Sequence, residues 1–141
     1  QLFDLPTIFE ANGLPGPTNP YLFNGDFVDR GSFSLETLLV LLAWKVTHPA
    51  YVRLARGNHE SHDMNVPYGF TGEVLTKYGE EAYMALQQLF AYLPLAHVVN
   101  GDVFVVHGGL PRGNVGLAEI EALDRVAVTQ MQASSASQQL F

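Results

Sequence analysis

Tyr21-Leu22-Phe23-Asn24-Gly25-Asp26-Phe27-Val28-Asp29-Arg30-Gly31 is the stretch from which the fold can be read. Its first residues form a short apolar run that stops at a glycine, the pattern of a buried strand. The residues after that glycine are rich in charge, with Asp26, Asp29 and Arg30 close together. Ser34 can cap a following helix that reaches about Thr47, with Glu36 in its first turn. Leu35, Leu38, Leu39, Leu42 and Val46 keep helical spacing, while Val40, Leu41 and Trp44 fill other faces, so this helix is expected to be largely buried. Pro49 stops it, and residues 51–55 read as a second strand. A strand–helix–strand unit implies a right-handed parallel pair, and hence an α/β chain.

Outward from this unit, Leu2, Leu5, Ile8 and Phe9 suit a short amphipathic helix around Pro6 that ends at Asn12-Gly13. Residues 14–20, with Pro15, Pro17 and Pro20, form a loop. Downstream, residues 71–78 and 80–92 read as helices separated by Gly79. The β-branched runs 95–99 and 103–106 flank Asn100-Gly101, a two-residue hairpin signal. Residues 117–123 suit one more short helix.

Composition narrows the function. The 141 residues amount to about one domain, and 48% apolar with 15% charged residues supplies a core while leaving too little charge for a disordered chain. No apolar run approaches the ~20 residues of a membrane span, so no membrane partner is expected. Seven Lys+Arg against 14 Asp+Glu give a net charge of −7 without a basic stripe, so no nucleic-acid partner is expected either. The chain has no Cys, which excludes disulfides, thiolate metal sites and a Cys nucleophile. Any metal would fall to His, Asp, Glu or Asn.

Three polar clusters each follow an apolar strand and are flanked by Gly: residues 25–31, Arg56-Gly57-Asn58-His59-Glu60, and His107-Gly108-Gly109. In open α/β sheets the carboxyl ends of the strands are where ligands bind. Each cluster alone is most simply a turn, but the three together, in this order, point to a site. Asp26, Asn58 and His107 are oxygen and imidazole donors that suit Mn, Fe or Zn. Two metals roughly 3.5–4 Å apart can activate water and clamp a phosphoryl group, and Asp26 can bridge such a pair. Arg30 offers a fork that matches phosphate oxygens. His59 could protonate a leaving alkoxide, with Asp29 orienting its ring. Other polar residues have plainer readings. Glu60 is a structural carboxylate, His48 lies at a helix end, and His62 and Asp63 lie on a loop at the rim. His97 is a packed core histidine, and Tyr68 and Phe70 are packing residues.

Gly-Asp-Phe-Val-Asp-Arg-Gly at 25–31, Arg-Gly-Asn-His-Glu at 56–60 and His-Gly-Gly-Leu at 107–110 resemble the signature motifs of the phosphoprotein phosphatase family of serine/threonine phosphatases. Residues 19–34 are most similar to its type 5 subfamily, and Met64-Asn65 and Tyr68-Gly69-Phe70 are also similar to the family. The resemblance implies a metallophosphoesterase fold with four layers, α/β/β/α, of which this chain would hold a central portion of the β-sandwich with flanking helices. Residues 1–112 would be a partial catalytic domain, and residues 113–141 a tail that matches poorly.

The resemblance also implies roles. Asp26 would bridge two divalent metals, with Mn expected and Fe or Zn as alternatives. Asn58 and His107 would bind the second metal. Arg30, with Asn58 and His59, would contact the substrate phosphate. His59, paired with Asp29, would be the general acid. A water shared by the metals would attack phosphorus without a phosphoenzyme. The substrates would be phosphoserine and phosphothreonine proteins, with regulatory domains left open.

The family opens its site with Gly-Asp-x-His-Gly, followed directly by Gln, whereas this chain starts at Gln1. It is therefore expected to be a segment of a longer protein, inactive alone, whose first metal keeps only Asp26 and whose second keeps three of four protein ligands. Two alternatives stand beside this reading: a related hydrolase of dinucleoside polyphosphates or phosphodiesters, and a non-catalytic module derived from a phosphatase. The absence of Cys and of a signal fits cytosol or nucleus.

Overall fold

A computed structural model describes residues 2–127 and 129. Gln1 and the rest of the tail assigned to 113–141 lie outside the described residues. The elements run α1 (Asp4–Asn12), β1 (Tyr21–Phe23), α2 (Ser34–Thr47), β2 (Val52–Leu54), α3 (His62–Tyr68), α4 (Phe70–Tyr78), α5 (Glu80–Tyr92), β3 (Ala96–Val99), β4 (Val103–Val106) and α6 (Leu117–Glu121).

The expected parallel pair is present: β1 and β2 run side by side with Tyr21 opposite Val52 and Phe23 opposite Leu54. β3 and β4 form a separate antiparallel hairpin with Val99 opposite Val103. That register makes the loop three residues, not two. Asn100 and Gly101 both take positive φ, as Asn-Gly predicts, and Asp102 joins them by donating its N–H to the Val99 carbonyl at 3.1 Å.

The core lies between β1, β2 and the helices. Leu38 and Leu41 of α2, Val52 and Leu54 of β2, Phe70 and Val74 of α4 and Phe90 of α5 are buried in one cluster. Each such side chain contributes roughly 1.5–3 kcal/mol by leaving water. Phe9 of α1 packs against this cluster and meets the Phe23 and Trp44 rings at centroid distances of 6.4 and 5.6 Å.

Three expectations need correction. First, α2 is not largely buried: Leu39, Val40 and Val46 are exposed, so only one face meets the core. Second, Ser34 is the first helical residue rather than a side-chain cap. The start of α2 is instead served from α4, where Glu73 accepts the backbone N–H groups of Ser34 and Leu35 at 3.2 and 3.0 Å. That places a carboxylate where the helix dipole favours it. Third, His62 and Asp63 do not lie on a loop; they open α3, which carries Pro67 inside it.

Four hydrogen bonds tie the hairpin to the parallel pair near the strand ends. Asn24 donates its side-chain amide to the Val106 carbonyl at 3.1 Å, and the His107 ring donates back to the Asn24 carbonyl. His97 of β3 donates Nε2–H to the Leu54 carbonyl at 3.2 Å, in keeping with a packed histidine, and Arg56 donates its backbone N–H to Pro94 at 2.8 Å. The clusters that follow β1, β2 and β4 are thereby drawn to one edge.

Gly72 offers a simple test of the helical reading of α4. It lies inside the helix with open space where a Cβ would stand. Gly72→Ala is expected to stabilise the protein by about 0.5–1 kcal/mol, read as a higher midpoint in urea. A lower midpoint would mean that α4 is not helical there.

Candidate active site

The chain after β1 turns through an unusual backbone. Gly25 has φ +83°, and Asp26, Asp29 and Arg30 also lie in the left-handed region at φ 58°, 73° and 60°. Such conformations cost L-residues roughly 1–2 kcal/mol each. They persist where the surroundings over-determine them, and they collect at functional sites. Here the restraint is visible. The buried Glu60 carboxylate accepts three backbone N–H groups, from Asp26 and Phe27 at 2.8 Å and from Gly57 at 2.7 Å. The Arg30 N–H is taken by the Tyr68 carbonyl at 3.2 Å. Burial pushes the Glu60 carboxyl above its ordinary pKa, against the three N–H groups that favour its charged form. Glu60 thus clamps the first cluster to the second.

The clamp brings three candidate metal donors together. His107 Nε2 stands 3.2 Å from Asp26 Oδ1 and 3.2 Å from Asn58 Oδ1. When the ring is neutral, its Nδ1–H donates to the Asn24 carbonyl and leaves Nε2 as a lone-pair donor. In that form Asp26 Oδ1 and Asn58 Oδ1 each face the Nε2 lone pair, an arrangement that a cation relieves. Donors held at right angles around one ion at ~2.1 Å lie about 3 Å apart, so the set fits a divalent ion. The carbonyl that fixes the ring is the outer partner that metal-binding imidazoles commonly have. Among the described residues, no group of three His, Cys, Asp or Glu side chains gathers to hold a metal; the Asn58 amide supplies the third donor.

Beside these donors lies a buried pair. His59 Nδ1 stands 2.8 Å from Asp29 Oδ2, with both side chains sealed from solvent. Asp29 Oδ1 accepts the Phe70 N–H at 2.9 Å. The His59 N–H donates to Asp26 Oδ1 at 3.1 Å, which joins the pair to the metal donors. Arg30 Nη2 lies 2.9 Å from His59 Nε2. A guanidinium can only donate, so Nε2 accepts and Nδ1 carries the proton directed at Asp29. The exposed Tyr68 ring packs under this group. It meets the His59 ring edge-on at 5.0 Å and the Arg30 guanidinium at 5.2 Å.

The structure thus gathers Asp26, Asp29, Arg30, Asn58, His59 and His107 at one edge. Three contributors were not singled out as site residues from sequence. Asn24 escaped because it reads as the tail of a strand. Asn65 and Gln87 escaped because they act over long sequence separations, although Gln87 carried a signal. It interrupts the stripe of Tyr83, Leu86 and Phe90 on α5, where a polar residue needs a partner.

Comparison with known proteins bears on the same residues. The family model described as calcineurin-like phosphoesterase matches residues 1–138. Serine/threonine-protein phosphatase 5 of Arabidopsis thaliana is 59% identical over 126 residues, 89% of this chain and 23% of that protein. The human protein of the same name is 51% identical over 126 residues, 89% of this chain and 25% of that protein. The chain therefore spans about a quarter of the length of the curated relatives it matches. A solved structure of a serine/threonine phosphatase from Saccharomyces cerevisiae superposes with a TM-score of 0.87 at 44% identity, covering 89% of this chain and 40% of that one.

Proposed function

Because this chain belongs to the calcineurin-like phosphoesterase family, we propose that it forms part of the catalytic domain of a serine/threonine protein phosphatase, and that the whole protein hydrolyses phosphoserine and phosphothreonine in proteins. The observation that carries the reading is the union of two groups at one strand edge. Asp26 Oδ1 and Asn58 Oδ1 each lie 3.2 Å from His107 Nε2, and the buried His59–Asp29 pair stands directly beside them. The relatives share the name serine/threonine-protein phosphatase, which favours a protein substrate over a dinucleotide or phosphodiester and catalysis over a purely binding role.

Asp26, Asn58 and His107 would hold a divalent ion, Mn by preference, with Asp26 available to share a second. Bound divalent ions supply positive charge that activates water and neutralises the oxygens of the transferring phosphoryl group. The chain's own residues do the rest. Asp29 holds the His59 ring by its Nδ1–H, so Nε2 is the atom free to serve the substrate. Arg30 occupies that atom in this structure. When a phosphate enters, the Arg30 fork turns to its oxygens, a bidentate match a guanidinium is shaped for. Freed of Arg30, His59 Nε2 takes a proton from solvent and gives it to the departing serine or threonine oxygen, which would otherwise leave as a poor alkoxide. Asp29 stabilises the imidazolium that carries it.

The test is hydrolysis by the full-length gene product of a phosphothreonine peptide, set against a dinucleoside tetraphosphate and a phosphodiester. The expected result is a clear preference for the peptide. Chelation should abolish the activity and added Mn2+ should restore it. A preference for the dinucleotide would replace the substrate class. Activity that survives exhaustive chelation would remove the metal role of Asp26, Asn58 and His107.

A further inference from the structure

Asn65 lies buried on α3 with every polar atom of its side chain engaged. Its Nδ2 amide donates to Asp29 Oδ2 at 3.0 Å and to the His59 carbonyl oxygen at 2.7 Å. A carboxylate and a carbonyl can only accept, so the NH2 end of the amide must face them. The opposite end, Oδ1, accepts from Gln87 Nε2 of α5 at 2.7 Å. One planar group therefore grips both members of the His59–Asp29 pair, by the carboxylate of one and the backbone of the other. A second amide, Gln87, 22 residues along the chain, donates to the outer end of that group.

We propose that Asn65 and Gln87 are positioning residues for the hydrolysis: Gln87 fixes the polarity of the Asn65 amide, and Asn65 holds Asp29 and His59 in the register that keeps Nδ1–H on the carboxylate and Nε2 toward substrate. The inference rests on the reading of His59 as general acid. The physics is one of polarity rather than bulk. If the Asn65 amide turned over, Oδ1 would face the Asp29 carboxylate and the His59 carbonyl, and two hydrogen bonds would become two repulsions in a buried place where neither group can reach water. Asp29 would move to recover a donor, and the His59 ring would follow it. Loss of the outer partner that orients a metal-bound histidine typically costs 10–100-fold, and the lower end of that range is the expectation for the partner that orients His59.

Gln87 is the better residue to change, because it touches neither Asp29 nor His59. Gln87→Glu keeps the shape and presents only acceptors to Asn65 Oδ1, which sets a repulsion against the amide where a hydrogen bond had held it and pushes Asn65 off its place. Gln87→Lys presents only donors and preserves the original polarity. Both are made in the full-length gene product and read in three ways: kcat and KM on a phosphothreonine peptide, the far-downfield proton resonance of His59 Nδ1–H (identified by its loss in His59→Asn), and the thermal midpoint. Gln87→Glu is expected to lower kcat on the order of ten-fold, with little change in KM, and to shift or abolish the resonance. Gln87→Lys should recover most of kcat and keep the resonance.

Wild-type kcat and resonance in Gln87→Glu would overturn the proposal, as would equal losses in both variants, since packing alone would then explain them. Should the thermal midpoint show that Gln87→Glu does not fold, Gln87→Met carries the test: wild-type kcat and resonance there would again overturn it, and a loss of both would support it. Should the wild-type protein prove inactive on phosphopeptides, the proposed function falls on its own. The resonance then decides the inference: loss in Gln87→Glu with retention in Lys supports it, and no difference overturns it.

Discussion

His59→Asn is expected to lower kcat on a phosphothreonine peptide on the order of 10³-fold, in the middle of the range for loss of a general acid, with KM little changed. His59 Nε2 lies against Arg30, the group proposed to turn to the phosphate, and an asparagine at that place cannot hand over a proton. The surroundings should survive the change. Asp29 keeps the Phe70 N–H and the Asn65 amide as donors, and the backbone N–H of residue 59, which donates to Asp26 Oδ1, is unaltered. The loss should also depend on the leaving group. A threonine alkoxide needs its proton, whereas p-nitrophenolate departs without one. On p-nitrophenyl phosphate the same variant should therefore lose only about ten-fold, following Brønsted behaviour. An equal loss on both substrates would make His59 a binding or positioning group. Asp29→Asn is the companion measurement, since it keeps the shape of the side chain while removing the charge that stabilises the imidazolium.

The groups in that argument were legible from the sequence because each announces itself locally. A short apolar run that leads to a Gly with Asp, Asn or His beside it marks a strand end that carries polar side chains, and it recurs at residues 25, 57 and 108. The parallel pair and α4, α5 and the hairpin followed from periodicity, Gly79 and Asn100-Gly101. What was missed is non-local. α3 was hidden because Val66 and Pro67 argue against a helix; Pro67 is tolerated near its end, where Gly69 closes the helix in a left-handed conformation. The service that Glu73 performs for α2, and the hold of Asn65 on Asp29 at a separation of 36 residues, are facts of tertiary packing that no window of sequence contains. α2 misled in another way. Its apolar residues surround the whole helix, which read as burial, yet Leu39, Val40 and Val46 are exposed.

Gly25→Ala should be the most damaging small substitution in the chain, and its reason lies in the meeting of β1 and β2 ends. A Cβ at position 25 would stand 2.4 Å from the Gly57 nitrogen, 2.5 Å from its Cα and 2.8 Å from His107 Nδ1. The first two are backbone atoms held by Glu60, and the third is a ring pinned to the Asn24 carbonyl, so none can retreat cheaply. Left-handed φ adds roughly 1–2 kcal/mol for any L side chain, and overpacking of this kind typically costs 1–3 kcal/mol or more. A total of about 2–5 kcal/mol follows, a large share of the 5–15 kcal/mol that holds an ordinary domain together. Gly57→Ala isolates the steric part. Gly57 does not lie in the left-handed region, but its Cβ would meet Asp26 N and Oδ1 at 2.4 Å and Glu60 Oε2 at 2.7 Å. It should therefore loosen the Glu60 clamp and cost somewhat less. In both variants the folded molecules that remain must part Asp26 from Asn58 and His107, so titration calorimetry should show weakened Mn2+ binding as well as a lower urea midpoint. If Gly25→Ala unfolded and bound Mn2+ as the wild-type protein does, the close approach of the two strand ends would be wrong, and with it the convergence of the three donors.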